Sequence, residues 1–128
     1  MKEFGKTIYA YTREQAIQDG VLNDVTNTSE AKEAGFKIPI CLTVGVQALC
    51  EVPVGLEGIQ DYKGRLWDTL WMAVNAYRRW KSNPDDNDGR ILPYAVIYQT
   101  GKNRKITKDL WLVFNEREGF TVMLPEEY

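Results

Sequence analysis

The chain has 128 residues, 44% of them hydrophobic and 27% charged, with a formal net charge of −2. That length supports one domain with its own core, without disulfides or a structural metal, and the charge disfavours a generally nucleic-acid-binding surface while leaving a local basic patch open. With no histidine in the chain, a Cys/His nucleophile pair is excluded.

The opening "MKEFGKTIYAYT" is too polar for a signal peptide, and no apolar run approaches membrane-spanning length. Thr7 to Tyr11 reads as a short strand, rich in β-branched and aromatic residues. Thr12 follows as an N-cap, with Gln15 three residues on as in a capping box. Ala16 and Ile17 give this helix its apolar contacts, and Gly20 is placed to stop it. "VLNDVT" then leaves in extended form.

Thr28 or Ser29 caps a second helix, "SEAKEAG", closed by Gly35. "FKIPI" is extended, because Pro39 disfavours helix in the residue before it. Thr43 begins a third, mostly buried helix carrying Val44, Val46, Leu49 and Cys50. Pro53, Gly55 and Gly58 mark a loop. Cys41 and Cys50 sit in the apolar "PICLTVGVQALCEV" and read as small buried hydrophobes in a reducing cytosol. Two thiols alone do not supply a zinc site.

The strongest helical pattern is "DYKGRLWDTLWMAVNAYRRWK", Asp61 to Lys81. Leu66, Leu70, Ala73, Val74 and Tyr77 form one face, and Trp67 and Trp71 widen it. Arg65, Asp68, Asn75 and Arg79 fall on the other side. So wide an apolar arc packs against more than one element, which makes this the expected central helix.

The polar loop "SNPDDNDG" is followed by three strands, "ILPYAVIYQ", "KDLWLVFNE" and "FTVMLP", joined by "TGKNRKIT" and "REG". Short connections of this kind make antiparallel hairpins. The expected fold is one α+β domain over residues 1–128. A helical N-terminal half with one long central helix is followed by a three-stranded antiparallel β-meander, with Thr7–Tyr11 available to join it. Leu110, Leu112 and Phe114 share one face of the meander, but Trp111 and Val113 lie on the other, and Ile97 lies opposite Val96 and Tyr98. Both faces are therefore apolar. The second must meet more of the same chain, a second subunit or a ligand.

Candidate site residues cluster in three places, and the first two are expected to meet, the Tyr9–Arg13 strand end against the start of the "GRLWD" helix. Tyr9, Tyr11 and Arg13 lie where the first strand meets its helix, and Asp24 lies beyond. Asp19 and Asp24 flank a loop, but "DGVLND" lacks the spacing of a calcium loop. Together with Glu30 and Glu33 they are accounted for as turn and helix-dipole residues. In "GRLWDTLW", Arg65 and Asp68 are spaced to pair, and Trp67 and Trp71 to stack. Core packing explains the indoles, and a platform for a ring or base is the functional alternative. The third place is the basic turn Lys102, Arg104, Lys105 and Lys108, to which Arg78, Arg79 and Lys81 are potential additions. Edge protection is its ordinary role. The sequence indicates no cofactor and no metal, and it carries no glycine-rich phosphate loop and no G-x-S-x-G elbow.

Two resemblances add to this reading. The strand ending in Tyr-Thr-Arg and running into "AIQDGVL" resembles the opening of ADP-ribosyltransferase-like folds, which implies a site for the nicotinamide end of NAD around Tyr11 and Arg13. No histidine and no assignable catalytic glutamate accompany it. "YTREQAIQDGVLNDVT", "AGFKIPICLT", "GRLWDTLWMA" and "TVMLPEE", in that order, resemble a family of small bacterial proteins of unknown function carried on plasmids, phages and integrated elements. The chain departs from that pattern around "VGVQALCEVPVGLEGIQ", where a tryptophan and a more acidic stretch are usual. The second resemblance implies a setting and no catalytic residues. The expectation is thus a non-enzymatic cytosolic binding protein of a mobile element, with counter-defence among its candidate roles, and a homo-oligomer with a host protein or nucleotide as partner. The alternatives are an enzyme on a nucleotide or NAD-like substrate, and a nucleic-acid-contacting accessory protein using Lys102–Lys108.

Overall fold

Residues 12–52, 61–85, 87–101 and 103–128 are described by the structure, a computed structural model. The expected strand Thr7–Tyr11, the loop at Pro53, Gly55 and Gly58, and the candidates Tyr9, Tyr11 and Lys102 lie outside the described residues.

Three helices begin on side-chain caps, two of them at Thr12 and Thr28 as expected and the third at Asp61, which the sequence pattern counted inside its helix. Thr12 accepts the Gln15 N–H at 3.1 Å to start α1 (Arg13–Gln18). Thr28 accepts the Ala31 N–H at 3.2 Å to start α2 (Ser29–Ala34), which ends at Gly35. Asp61 accepts the Gly64 N–H at 2.7 Å to start α4 (Tyr62–Ser82). Each bond satisfies one of the donors a helix start leaves over. Between them lie β1 (Leu22–Asp24), β2 (Ile40–Thr43) and α3 (Val44–Cys50), and after α4 come β3 (Ile91–Gly101), β4 (Arg104–Asn115), β5 (Gly119–Met123) and a 3-10 turn, Pro125–Glu127.

The expected α+β arrangement is present, with the meander extended into a five-stranded sheet of order β1-β2-β5-β4-β3. β3–β4 and β4–β5 are antiparallel hairpins, β1–β2 is antiparallel, and β2 runs parallel to β5. The last strand in sequence is therefore the middle strand of the sheet. The eight-residue connection expected at "TGKNRKIT" is instead a tight turn, because pairing continues to Gly101 opposite Arg104.

The first face of the sheet carries Ile40, Leu42, Leu92, Tyr94, Val96, Leu110, Leu112, Phe120 and Val122. All are buried in one core with Leu66, Leu70 and Ala73 of α4, Ala31 and Ala34 of α2, and Val46 and Cys50 of α3. Val44, expected inside with its neighbours, is 53% exposed. Both cysteines are free and buried.

Arg65 corrects the helical-wheel reading, which set it on the polar side of α4. It is only 6% exposed. Its Nη1 donates to Leu49 O at 2.8 Å and its Nη2 to Gln99 O, while the guanidinium lies 5.3 Å from the Tyr98 ring centroid. A planar fork of donors can be buried when it ties two chain segments together. No helix among the described residues is long and apolar enough to cross a membrane.

Candidate functional site

The C-terminal end of α4 does not lie flat on the sheet. Between it, the segment after α2 and the β4–β5 turn runs a groove of about 1060 Å³. Its apolar lining is mostly aromatic, with Ile38 and Val74 beside the rings. Phe120 of β5 meets Phe36 at 5.6 Å, Tyr77 at 5.7 Å and Phe114 at 5.2 Å, and Tyr77 meets Trp80 at 5.7 Å. Edge-to-face and tilted contacts of this kind hold rings rigidly. Phe36, Tyr77, Trp80 and Phe114 each keep part of their surface open.

Among the described residues, five cations line the same groove, Lys37, Arg78, Lys81, Arg90 and Arg117, against two carboxylates, Asp88 and Glu116. Asp88 is already engaged, 3.7 Å from the Arg90 Nε. Arg78 sits 5.9 Å from the Trp71 ring centroid, and the Lys81 ammonium lies 6.0 Å from that of Tyr77. On a chain of net charge −2 this is a local positive potential beside half-buried rings.

Two glycines allow these walls to close. Gly89, at φ 84°, lies flat against Trp80, so that a Cβ there would come within 2.4 Å of the indole. The Trp80 Nε1 in turn donates to Asn87 O at 2.6 Å. Gly119, at φ 101°, begins β5, where a Cβ would stand 2.4 Å from Pro39 O. Only glycine fits a positive φ with a backbone carbonyl at that distance.

The candidates from the sequence fall elsewhere. Arg13 lies under the second face, where its Nη1 donates to the Thr121 Oγ1 at 3.0 Å and its Nη2 to Phe120 O. It also lies beside Cys41 and opposes the upward push that burial gives that thiol. Asp24 accepts the Thr26 N–H at 2.9 Å, closing a turn. Arg65 is on the first face, so the structure does not bring Arg13 and Arg65 together.

Trp67 and Trp71 stack at 5.3 Å with 13° between their planes, both half-buried along α4. Desolvation raises the neighbouring Asp68 carboxyl from its ordinary value. Arg104 and Lys105 are exposed and Lys108 half-buried, at the start of β4. Arg78 and Lys81 line the groove beside the other end of that strand, so they do not extend that patch.

The groove was missed because its residues come from separate segments around Phe36, Tyr77, Gly89, Phe114 and Phe120. No local motif joins them. The only signals in the chain were cations next to aromatics in "YRRWK" and the glycines of "NDG" and "REG".

Fold and groove together define an α+β domain with an aromatic, cation-rimmed groove. Comparison with protein-family models, curated proteins and solved structures finds no match to this chain.

Proposed function

We propose that this is a non-enzymatic binding protein and that its ligand, an anion carrying a flat ring, occupies the groove between the end of α4 and the β4–β5 turn. A nucleotide is the simplest such ligand. One observation carries the reading: half-buried aromatic rings and five cations line one groove on an acidic chain. Ring faces favour stacking, and guanidinium and ammonium groups favour phosphate. Among the described residues, the Asp88 carboxylate of the lining is paired with Arg90, which leaves the cations in excess for an anionic ligand.

The resemblance to small proteins of mobile elements supplies the setting. By analogy, a protein of that kind would act by binding: blocking a host defence component, mimicking nucleic acid or, as the groove favours, sequestering a signal nucleotide.

The test is calorimetric titration at low ionic strength with adenosine triphosphate, adenosine and pyrophosphate, on the parent chain and on Arg78→Glu. The reading expects saturable binding of the triphosphate, weaker binding of either half alone, and loss in the variant. Binding of none of the three ends it. Release of phosphate from the bound triphosphate replaces it with the enzymatic alternative.

A further inference from the structure

The outer edge of the sheet carries a second surface, independent of the groove. β3 is an edge strand of 11 residues, and from Ile91 to Gly101 it contains no charged residue. Long edges are normally guarded by lysine, proline or a bulge. Here the guards are Pro93 and an irregularity between Gln99 and Gly101.

The direction of each backbone group on β3 follows from three bonds. Phe114 N–H donates to Arg90 O at 2.8 Å, so Arg90 faces β4. In an antiparallel pair every second residue then faces β4, and the ones between face outward. Ile91, Pro93, Ala95, Ile97 and Gln99 are the outward set. Two side-chain bonds agree: Asn87 Nδ2 donates to Ile91 O at 3.3 Å, and Arg65 Nη2 donates to Gln99 O. These two side chains close the edge at its ends. Among the described residues, no hydrogen bond reaches the outward groups of Pro93, Ala95 and Ile97.

The window between the two stops is symmetric. Ile91 and Gln99 each lie four residues from Ala95. On the second sheet face, Ile97 is 59% exposed and Pro93 is exposed beside it in the strand. We infer that β3 pairs with β3 of a second copy of this chain, antiparallel about a two-fold axis at Ala95.

Ala95 then exchanges both its bonds with Ala95 of the second copy, and each Ile97 N–H donates to the other copy's Pro93 carbonyl. Each copy's Asn87 stop falls opposite the other's Arg65 stop, so neither intrudes on the window. Ile97 packs beside the other Pro93, covering the most exposed large apolar side chain on the described surface. A two-fold axis brings like next to like, and an uncharged edge is what permits that without repulsion. Edge-to-edge pairing with a foreign strand lacks this match of window and stops.

The experiment is sedimentation velocity over a concentration series on the parent chain, Ala95→Pro and Ile97→Lys, with circular dichroism to report folding. Ala95→Pro deletes an outward donor only, leaving the ladder to β4 complete. The expected result is a twofold rise in mass with concentration for the parent chain, and monomers for both folded variants. A parent chain that stays monomeric at millimolar concentration overturns the proposal, as does a dimer that survives both substitutions. Amide exchange of Ala95 and Ile97 in the parent chain gives the same answer without a variant. Protection that grows with concentration supports the pairing, and fast exchange at all concentrations overturns it.

Discussion

The carboxylate of Glu127 accepts the backbone N–H of Gly45 at 3.0 Å, joining residues 82 positions apart in the chain. The same group accepts hydrogen bonds from the Thr43 hydroxyl at 2.5 Å and from the Leu124 N–H at 2.8 Å. Thr43 is the N-cap of α3 by position, yet its side chain makes no cap bond. The cap is supplied by the C-terminal turn, which also docks there by this carboxylate. An acidic group at a helix start is favoured by the dipole as well as by the hydrogen bonds.

Replacing Glu127→Gln is expected to lower stability by about 1–2 kcal/mol, the usual worth of charge-assisted bonds at a helix start. Glu126→Gln, one residue away and exposed, is the control and should change little. Urea midpoints with unchanged slopes give the comparison.

Gly119→Ala is expected to be far more damaging. The new Cβ meets a backbone carbonyl, Pro39 O, at 2.4 Å, and Phe120 N–H needs that same carbonyl at 2.9 Å to begin the β2–β5 pairing. Strain and overpacking together amount to about 3 kcal/mol or more. A drop of under 1 kcal/mol in chemical denaturation would show that β5 enters the sheet differently.

Arg65→Met keeps most of the apolar stem but removes the donors to Leu49 O and Gln99 O. Two carbonyls then lose a charged donor, at a cost of about 2–3 kcal/mol. Arg65→Lys should recover only part of this, since a point charge does not span two acceptors as the fork does. The order parent, Lys, Met in melting temperature is the check. Equal stability of Lys and parent would contradict it.

Stability should fall on the alkaline side. Burial raises the Cys50 thiol from 9.0 to about 11, with the Thr69 hydroxyl and Arg65 opposing the push. The folded pKa is above the unfolded one, so the neutral thiol stabilises the fold fully below pH 9. That contribution fades as the pH rises toward 11, and it amounts to about 2–3 kcal/mol. Buried Tyr94 and Tyr98 are raised by the same cause and act in the same direction at higher pH. Cys50→Ser should flatten the decline between pH 9 and 11 in urea midpoints. A parent profile flat over that range would count against a buried thiol.

The helix starts and turns were legible because they depend on neighbours. Thr12 and Thr28 each cap a donor three residues away. The short REG segment places β5 beside β4 with little chain to spare. Arg65 was misread because periodicity weighs an arginine as polar and cannot see the two carbonyls waiting for it. The groove was invisible for a similar reason, since Phe36, Trp80 and Phe120 are brought together only by folding.

By itself, the sequence determined the α+β class, the caps at Thr12 and Thr28, the long central helix and the two hairpins. It also established that both faces of the meander are apolar. Those features follow from local sterics, hydrogen bonds and hydrophobic period. Only the tertiary structure decided that β5 lies mid-sheet against β2, that Glu127 caps α3, and that Arg13 and Arg65 lie on opposite sides of the sheet. It likewise brought the groove's rings and cations together. These depend on which distant segments come into contact, and that is set by burying one shared core rather than by any short stretch of chain.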